Sequence, residues 1–122
     1  MKYINTIMSQ NDIAEEELPI IEEYIKIAEE IMAKNHLVFH EENGEMMFYN
    51  HLVSLSRRII KKSLLEEMDE SMFTEISESS VALSTKICSE LFIHGGCSFN
   101  RSEMFLVATH IEVNKNLPQG GN

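Results

Sequence analysis

The spacing of apolar residues most constrains the fold of this chain. Between residues 20 and 32, apolar side chains return at steps of three and four, and glutamates occupy positions between them. Steps of this size place the apolar side chains on one face of an α-helix, whereas a half-buried strand would need strict alternation. We therefore predict a core built from amphipathic helices.

The same spacing, together with residues that favour helix ends, predicts five helices in an all-α bundle. The third is expected to be short and to lie on a different axis from its neighbours. Gly95-Gly96 stops the fourth, and Asn100 caps the fifth, with Glu103 placed as in a capping box. The predicted segments are about 18–34, 45–62, within 64–78, 79–94 and from Asn100 to about 115.

The chain of 122 residues is long enough for a single hydrophobic core. We expect one helical domain over residues 18–115. Residues 1–17 are interpreted as a leader that is poorly ordered or forms one short helix. Residues 116–122, which contain one proline and two glycines, are interpreted as a flexible tail.

The charge of the chain excludes some classes of partner. Twenty acidic and ten basic residues give a formal net charge of −10, which repels nucleic-acid phosphates and anionic lipids. A basic protein partner fits this charge, and so does a surface that is acidic only for solubility. No signal peptide and no apolar stretch of the ~20 residues that a membrane span needs is visible, so a cytoplasmic protein is expected.

Two histidines share one spacing to a charged residue. His51 precedes Arg58 by seven positions, and Glu103 precedes His110 by seven. Seven residues correspond to about 10.5 Å along a helix, on nearly the same face. We expect an antiparallel contact to set His51 against Glu103 and Arg58 against His110, and a parallel contact to bring the histidines together. The sequence does not choose between these directions.

Histidine beside arginine suits phosphoryl acceptance. A neutral imidazole nitrogen is nucleophilic near neutral pH, and a guanidinium binds the phosphate that results. Phosphorylation would add close to two negative charges to a half-buried helix interface, which is enough to repack helices. The alternative is that each histidine is a boundary residue satisfied by a hydrogen bond.

Two segments resemble the motifs of a known family. The segment from Phe48 to Arg58 looks like the first histidine motif of the PRD, the regulatory domain controlled by the bacterial phosphoenolpyruvate-dependent sugar phosphotransferase system. The segment from Ser102 to Ile111 looks like its second motif, a glutamate seven residues ahead of a histidine. The order of the five predicted helices also agrees with the family, so the resemblance covers roughly residues 18–115.

The resemblance implies a fold and a set of roles. The family's fold is a bundle of two antiparallel helix pairs with a short crossing helix, and it is often dimeric. Its histidines accept phosphate from the phosphocarrier protein HPr or from an enzyme II component. By motif position, His51 and His110 would be the acceptors, with Arg58 and Glu103 as supporting residues.

Two departures from the family shape the functional prediction. The first histidine of the family usually follows an aspartate, whereas His51 follows Asn50, which carries no negative charge. We therefore expect His110, more than His51, to be the phosphoryl acceptor. Members that regulate transcription also carry a nucleic-acid-binding domain, and no such domain is expected within these 122 residues. The prediction is a regulatory module, not an enzyme and without a cofactor, that signals through a regulator protein and forms a possible homodimer.

Two other functions are weighed against this one. The first is a structural or protein-interaction bundle that keeps PRD packing without phosphoryl transfer. The second is a metal-dependent hydrolase using His51, His110 and Glu103, for which a third strong ligand and a nucleophile motif are missing. His36 and His40 are spaced for a metal on a helix but lie in a connection, so no metal site is predicted. Both cysteines are expected to be reduced thiols.

Overall fold

The computed structural model of the protein describes residues 6–7, 13–67 and 75–116. Within these ranges the chain is all-helical and contains no strand, which confirms the all-α prediction. No helix in the described ranges is long and apolar enough to cross a membrane. The four helices are α1 (Leu18–Lys34), α2 (Glu42–Lys61), α3 (Glu78–Gly95) and α4 (Arg101–Asn116).

The prediction of five helices is wrong for the described chain, because the short third helix expected within 64–78 is not found. Residues 64–67 and 75–77 are not helical, and the remainder of that segment, 68–74, lies outside the described residues. Ser77, inside the predicted segment, is instead the N-cap of α3, and its hydroxyl accepts a hydrogen bond from the amide of Ser80.

Tertiary hydrogen bonds explain why residues after α2 do not continue as a helix. The backbone amide of Leu65 donates to the Glu103 carboxylate at 3.1 Å. The backbone carbonyl of Leu65 accepts from the Asn100 side chain at 2.7 Å. The carbonyl of Glu66 accepts from the Ser102 hydroxyl. These backbone groups are paired with the N-terminus of α4, so a local helix would have to break those bonds.

The predicted leader and tail are described only in part. In the leader, Ile7 is helical and fully buried in the core, so this segment contributes to packing. Residues 15–17 form a turn before α1. Residues 1–5 and 8–12 of the predicted leader and the predicted tail from residue 117 onward lie outside the described residues.

Helix α4 runs antiparallel to both α2 and α3. Against α3, the Ser80 hydroxyl donates to Glu112 at 2.7 Å, and the Ser84 hydroxyl donates to the carbonyl of Met104 at 2.6 Å. Rising numbers on α3 therefore meet falling numbers on α4. The core between the helices is one apolar cluster, in which each fully buried Leu or Ile contributes about 1.5–3 kcal/mol.

The two glycines that end α3 have different roles. Gly96 adopts the left-handed conformation with φ 68°, as predicted for a helix cap. Gly95 is still helical, and a Cβ there would overlap the side chain of Ile59 on α2. Gly95 is therefore required by the close approach of two helices.

We expect Gly95→Ala to lower the free energy of unfolding by about 1–3 kcal/mol, since the added methyl must displace Ile59. Gly96→Ala meets no backbone obstacle and should cost about 1 kcal/mol through its positive φ alone. Urea denaturation of the two variants checks this order. A Gly95→Ala variant as stable as the wild type would contradict the close packing of α2 on α3.

Candidate functional site

The charged centre of the site is a bidentate ion pair between α2 and α4. The Arg58 guanidinium donates from Nε to Oε2 of Glu103 at 2.7 Å and from Nη2 to Oε1 at 2.7 Å. The Glu103 side chain is 0% exposed, whereas that of Arg58 is 25% exposed. Two short parallel bonds of this kind fix the guanidinium in one orientation.

Glu103 is further anchored at the first turn of α4. Its backbone amide donates to the Asn100 side-chain oxygen at 2.9 Å, so the predicted N-cap is confirmed. The Glu103 carboxylate, however, bonds to Arg58 and to the amide of Leu65. This carboxylate therefore joins three chain segments, and its described partners do not include the Asn100 amide that a capping box would use.

The two histidine rings contact each other across the same pair of helices. The ring centroids of His51 and His110 are 5.0 Å apart, and the ring planes are tilted by 34°. Phe48 packs edge-on against His110 with centroids 6.4 Å apart. The four predicted site residues His51, Arg58, Glu103 and His110 therefore form one site along the α2–α4 interface.

The expected pairing for antiparallel helices was wrong. In an antiparallel pair, the first residue of one motif lies opposite the last residue of the other. With equal spacings of seven, His51 meets His110 and Arg58 meets Glu103, as the ring contact and the ion pair show. The mixed histidine-to-charge pairing belongs to a parallel arrangement.

Both histidines are held in the neutral form. Burial, followed by the neighbouring His110 and Arg58, lowers the pKa of His51 to about 4, and Glu103 opposes this shift. Burial also lowers the pKa of His110. Among the described residues, Nε2 of His51 is buried and has no hydrogen-bond partner. The site therefore presents two uncharged imidazoles near neutral pH.

His110 lines a small surface cavity. The cavity has a volume of about 150 Å³, and His51 is not among its lining residues. Two apolar side chains on its rim, Met47 and Val113, are 52% and 55% exposed. An incoming group can thus approach His110 from solvent. The remaining lining residues are Gly44, Thr109 and Asn114.

The remaining predictions for the site concern Asn50, metal binding and the two cysteines. Asn50 is half-buried on α2, next to His51 in sequence. The described residues contain no cluster of three or more His, Cys, Asp or Glu that could hold a metal ion. Both cysteines are free, and burial raises the pKa of the Cys88 thiol to about 12, which makes it a poor nucleophile.

Four contributors to the site were not predicted from the sequence. Phe48 lies three residues before His51, a helical spacing that would have placed it on the same face. Met47 and Val113 read as core residues because they are apolar, yet they are exposed around His110. The backbone amide of Leu65 could not be predicted as a donor to the site, because every residue except proline has a backbone N–H.

No match to this chain was found among protein-family models, curated proteins or solved structures. Its function must therefore be inferred from the site itself. The site combines two neutral imidazoles in contact, an adjacent ion pair with a buried carboxylate, and a cavity at His110.

Proposed function

We propose that this chain is a PRD-type regulatory module that responds to phosphorylation of His110 by the bacterial sugar phosphotransferase system in the cytoplasm. The observation that carries the proposal is the position of His110. It is a neutral imidazole in contact with His51, and it borders a surface cavity. A phosphoryl acceptor needs both a free nitrogen lone pair and access to its donor.

The transfer step requires only a donor phosphohistidine, on HPr or an enzyme II component. A lone pair of the His110 ring attacks the donor's phosphorus, forming one N–P bond. The donor's N–P bond breaks, and its electron pair returns to the donor imidazole. No oxidant or metal is consumed. The chain itself turns over no substrate, so the proposal is a regulatory acceptor and not an enzyme.

The phosphoryl group would change the balance of charge at the α2–α4 interface. It brings close to two negative charges onto His110, whose ring contacts His51. The pKa of His51 already responds to both Arg58 and Glu103, so the ion pair and the histidines are electrostatically coupled. Attraction of Arg58 toward the phosphate and repulsion of Glu103 would both weaken their pairing. Repacking of α2 against α4 would carry the signal to a regulator protein or to a homodimer contact.

Incubation with phosphoenolpyruvate, enzyme I and HPr tests the proposal. Intact mass measurement should show the addition of a phosphoryl group that is lost in acid, as expected for phosphohistidine. Omission of HPr should abolish the addition, because HPr carries the phosphoryl group from enzyme I to every later donor. An unchanged mass, under conditions that label a known family member, would contradict the proposal.

The second candidate is a protein-interaction bundle with PRD-like packing and no phosphoryl transfer. It is favoured by the ion pair, because the Glu103 carboxylate already occupies two donors of Arg58, and by the uncharged Asn50. Affinity capture separates the candidates. If the wild type is not phosphorylated, and His51→Ala and His110→Ala bind the same partner equally well, this second function replaces the first.

A further inference from the structure

A second cleft is separate from the cavity at His110, although Asn114 borders both. It has a volume of about 650 Å³ and lies between the connection after α1, the first half of α3 and the last turns of α4. This volume is in the range of small-molecule sites. Its floor includes the apolar side chains of Leu83 and Ile111. Its polar lining consists of Asn35, His36, His40, Ser79, Lys86 and Asn114.

The charge of this cleft is opposite to that of the chain. The chain has twenty acidic and ten basic residues, yet no aspartate or glutamate lines the cleft. The Lys86 ammonium donates to the neutral Asn35 side-chain oxygen at 3.1 Å, and it forms no ion pair with the described carboxylates. His36 and His40 add two imidazoles. A site of this composition favours an anion.

The wall of the cleft is held by a buried side chain. Asn114, which is 4% exposed, donates from its amide to the carbonyl of Val38 at 2.7 Å. Its side-chain oxygen accepts from the backbone amide of His40 at 3.3 Å. The connection after α1 is thereby fastened to α4, so the cleft is formed before any ligand arrives.

One lining residue occupies a backbone conformation that favours glycine. His36 has φ 57° at the position after the Asn35 cap of α1, and the amide of Leu37 bonds back to the carbonyl of Met32 at 3.0 Å. Glycine is the usual residue at this place in such a cap, and a non-glycine residue there is strained. A contact between the His36 imidazole and a ligand in the cleft would explain why this position has histidine and not glycine.

We propose that this cleft binds a small anionic metabolite of about the size of a sugar phosphate or sugar acid. The phosphate or carboxylate would contact Lys86 with His36 or His40. Polar groups of Asn35 and Ser79 would contact hydroxyls, and the carbon skeleton would lie on Leu83. This binding goes beyond the phosphorylation of His110, and the side chains proposed to contact the anion do not include His51 or His110.

Isothermal titration calorimetry of the full chain with three five-carbon probes tests the site. Ribose 5-phosphate and ribonate carry the two anionic groups, and ribose carries none. We expect at least one anion to bind and ribose not to bind, and the stronger anion identifies phosphate or carboxylate as the preferred group. The proposal is overturned if neither anion binds at up to about 10 mM, or if ribose binds as tightly.

Three variants locate the binding. Lys86→Gln should weaken binding of the anion about tenfold or more. Lys26 is an exposed lysine outside the cleft, so Lys26→Gln should leave the affinity unchanged. His36→Gly should weaken binding while the melting temperature stays the same or rises, because glycine tolerates the positive φ. Equal affinity of the wild type and Lys86→Gln would overturn the proposal.

Discussion

Replacing Arg58 by alanine is expected to lower the free energy of unfolding by about 3–5 kcal/mol, because the buried Glu103 carboxylate then has no cation. A small domain has only about 5–15 kcal/mol of stability, so this loss is a large part of the total. The stability of Arg58→Lys should lie between those of the wild type and Arg58→Ala, because a lysine ammonium keeps the charge but cannot reproduce the bidentate bonds. Urea denaturation followed by circular dichroism measures the differences.

The neighbouring arginine provides a matched control. Arg57 reaches Glu17 at 3.3 Å, and the Glu17 side chain is 13% exposed, compared with 0% for Glu103. Arg57→Ala should therefore cost less than about 1 kcal/mol, as is usual for ion pairs near the surface. If Arg58→Ala were as stable as Arg57→Ala, the pair with Glu103 would not hold α2 on α4.

The second large effect is a loss of stability in mild acid caused by His51. Its pKa lies at about 4 in the folded chain and at 6.5 ordinarily, so the unfolded chain takes up the proton first. The stability contributed by neutral His51 is complete above about pH 6.5 and is lost progressively as the pH falls toward 4. Between about pH 7 and pH 5 this loss amounts to about 2 kcal/mol.

The effect is isolated by comparing variants at the two pH values. The groups that act on the ring are His110, Arg58 and Glu103, and all remain in His51→Gln. This variant should lose about 2 kcal/mol less than the wild type on acidification. His94→Gln, which removes a histidine that is 45% exposed, should behave as the wild type does. Identical pH dependence of all three proteins would rule out a His51 that the fold holds in the neutral form.

The sequence predicted the long helices well. Apolar spacing and end signals placed a helix at 18–34, where α1 runs from Leu18 to Lys34, and the other three long helices agree within a few residues. These signals are local, because a cap or a glycine acts on the turn beside it. The capping of α4 by Asn100 was predicted for the same reason.

Features that depend on tertiary contacts were harder to predict. The apolar residues after α2 suggested a short helix, but the backbone at Leu65 bonds to α4 instead. The sequence identified the two histidines and both members of the ion pair, yet it left the direction of the helices open and paired these residues wrongly for antiparallel packing. The cavity at His110 and the burial of Nε2 of His51 depend on neighbours in space, and spacing along the chain does not contain that information.

The central claim is that His110 accepts the phosphoryl group, and intact mass measurement of single variants tests it most directly. After incubation with phosphoenolpyruvate, enzyme I and HPr, the wild type and His51→Ala should each gain one phosphoryl group. His110→Ala should gain none, while circular dichroism shows that it remains folded. A folded His110→Ala variant that is phosphorylated as fully as the wild type would contradict the assignment of His110 as the acceptor.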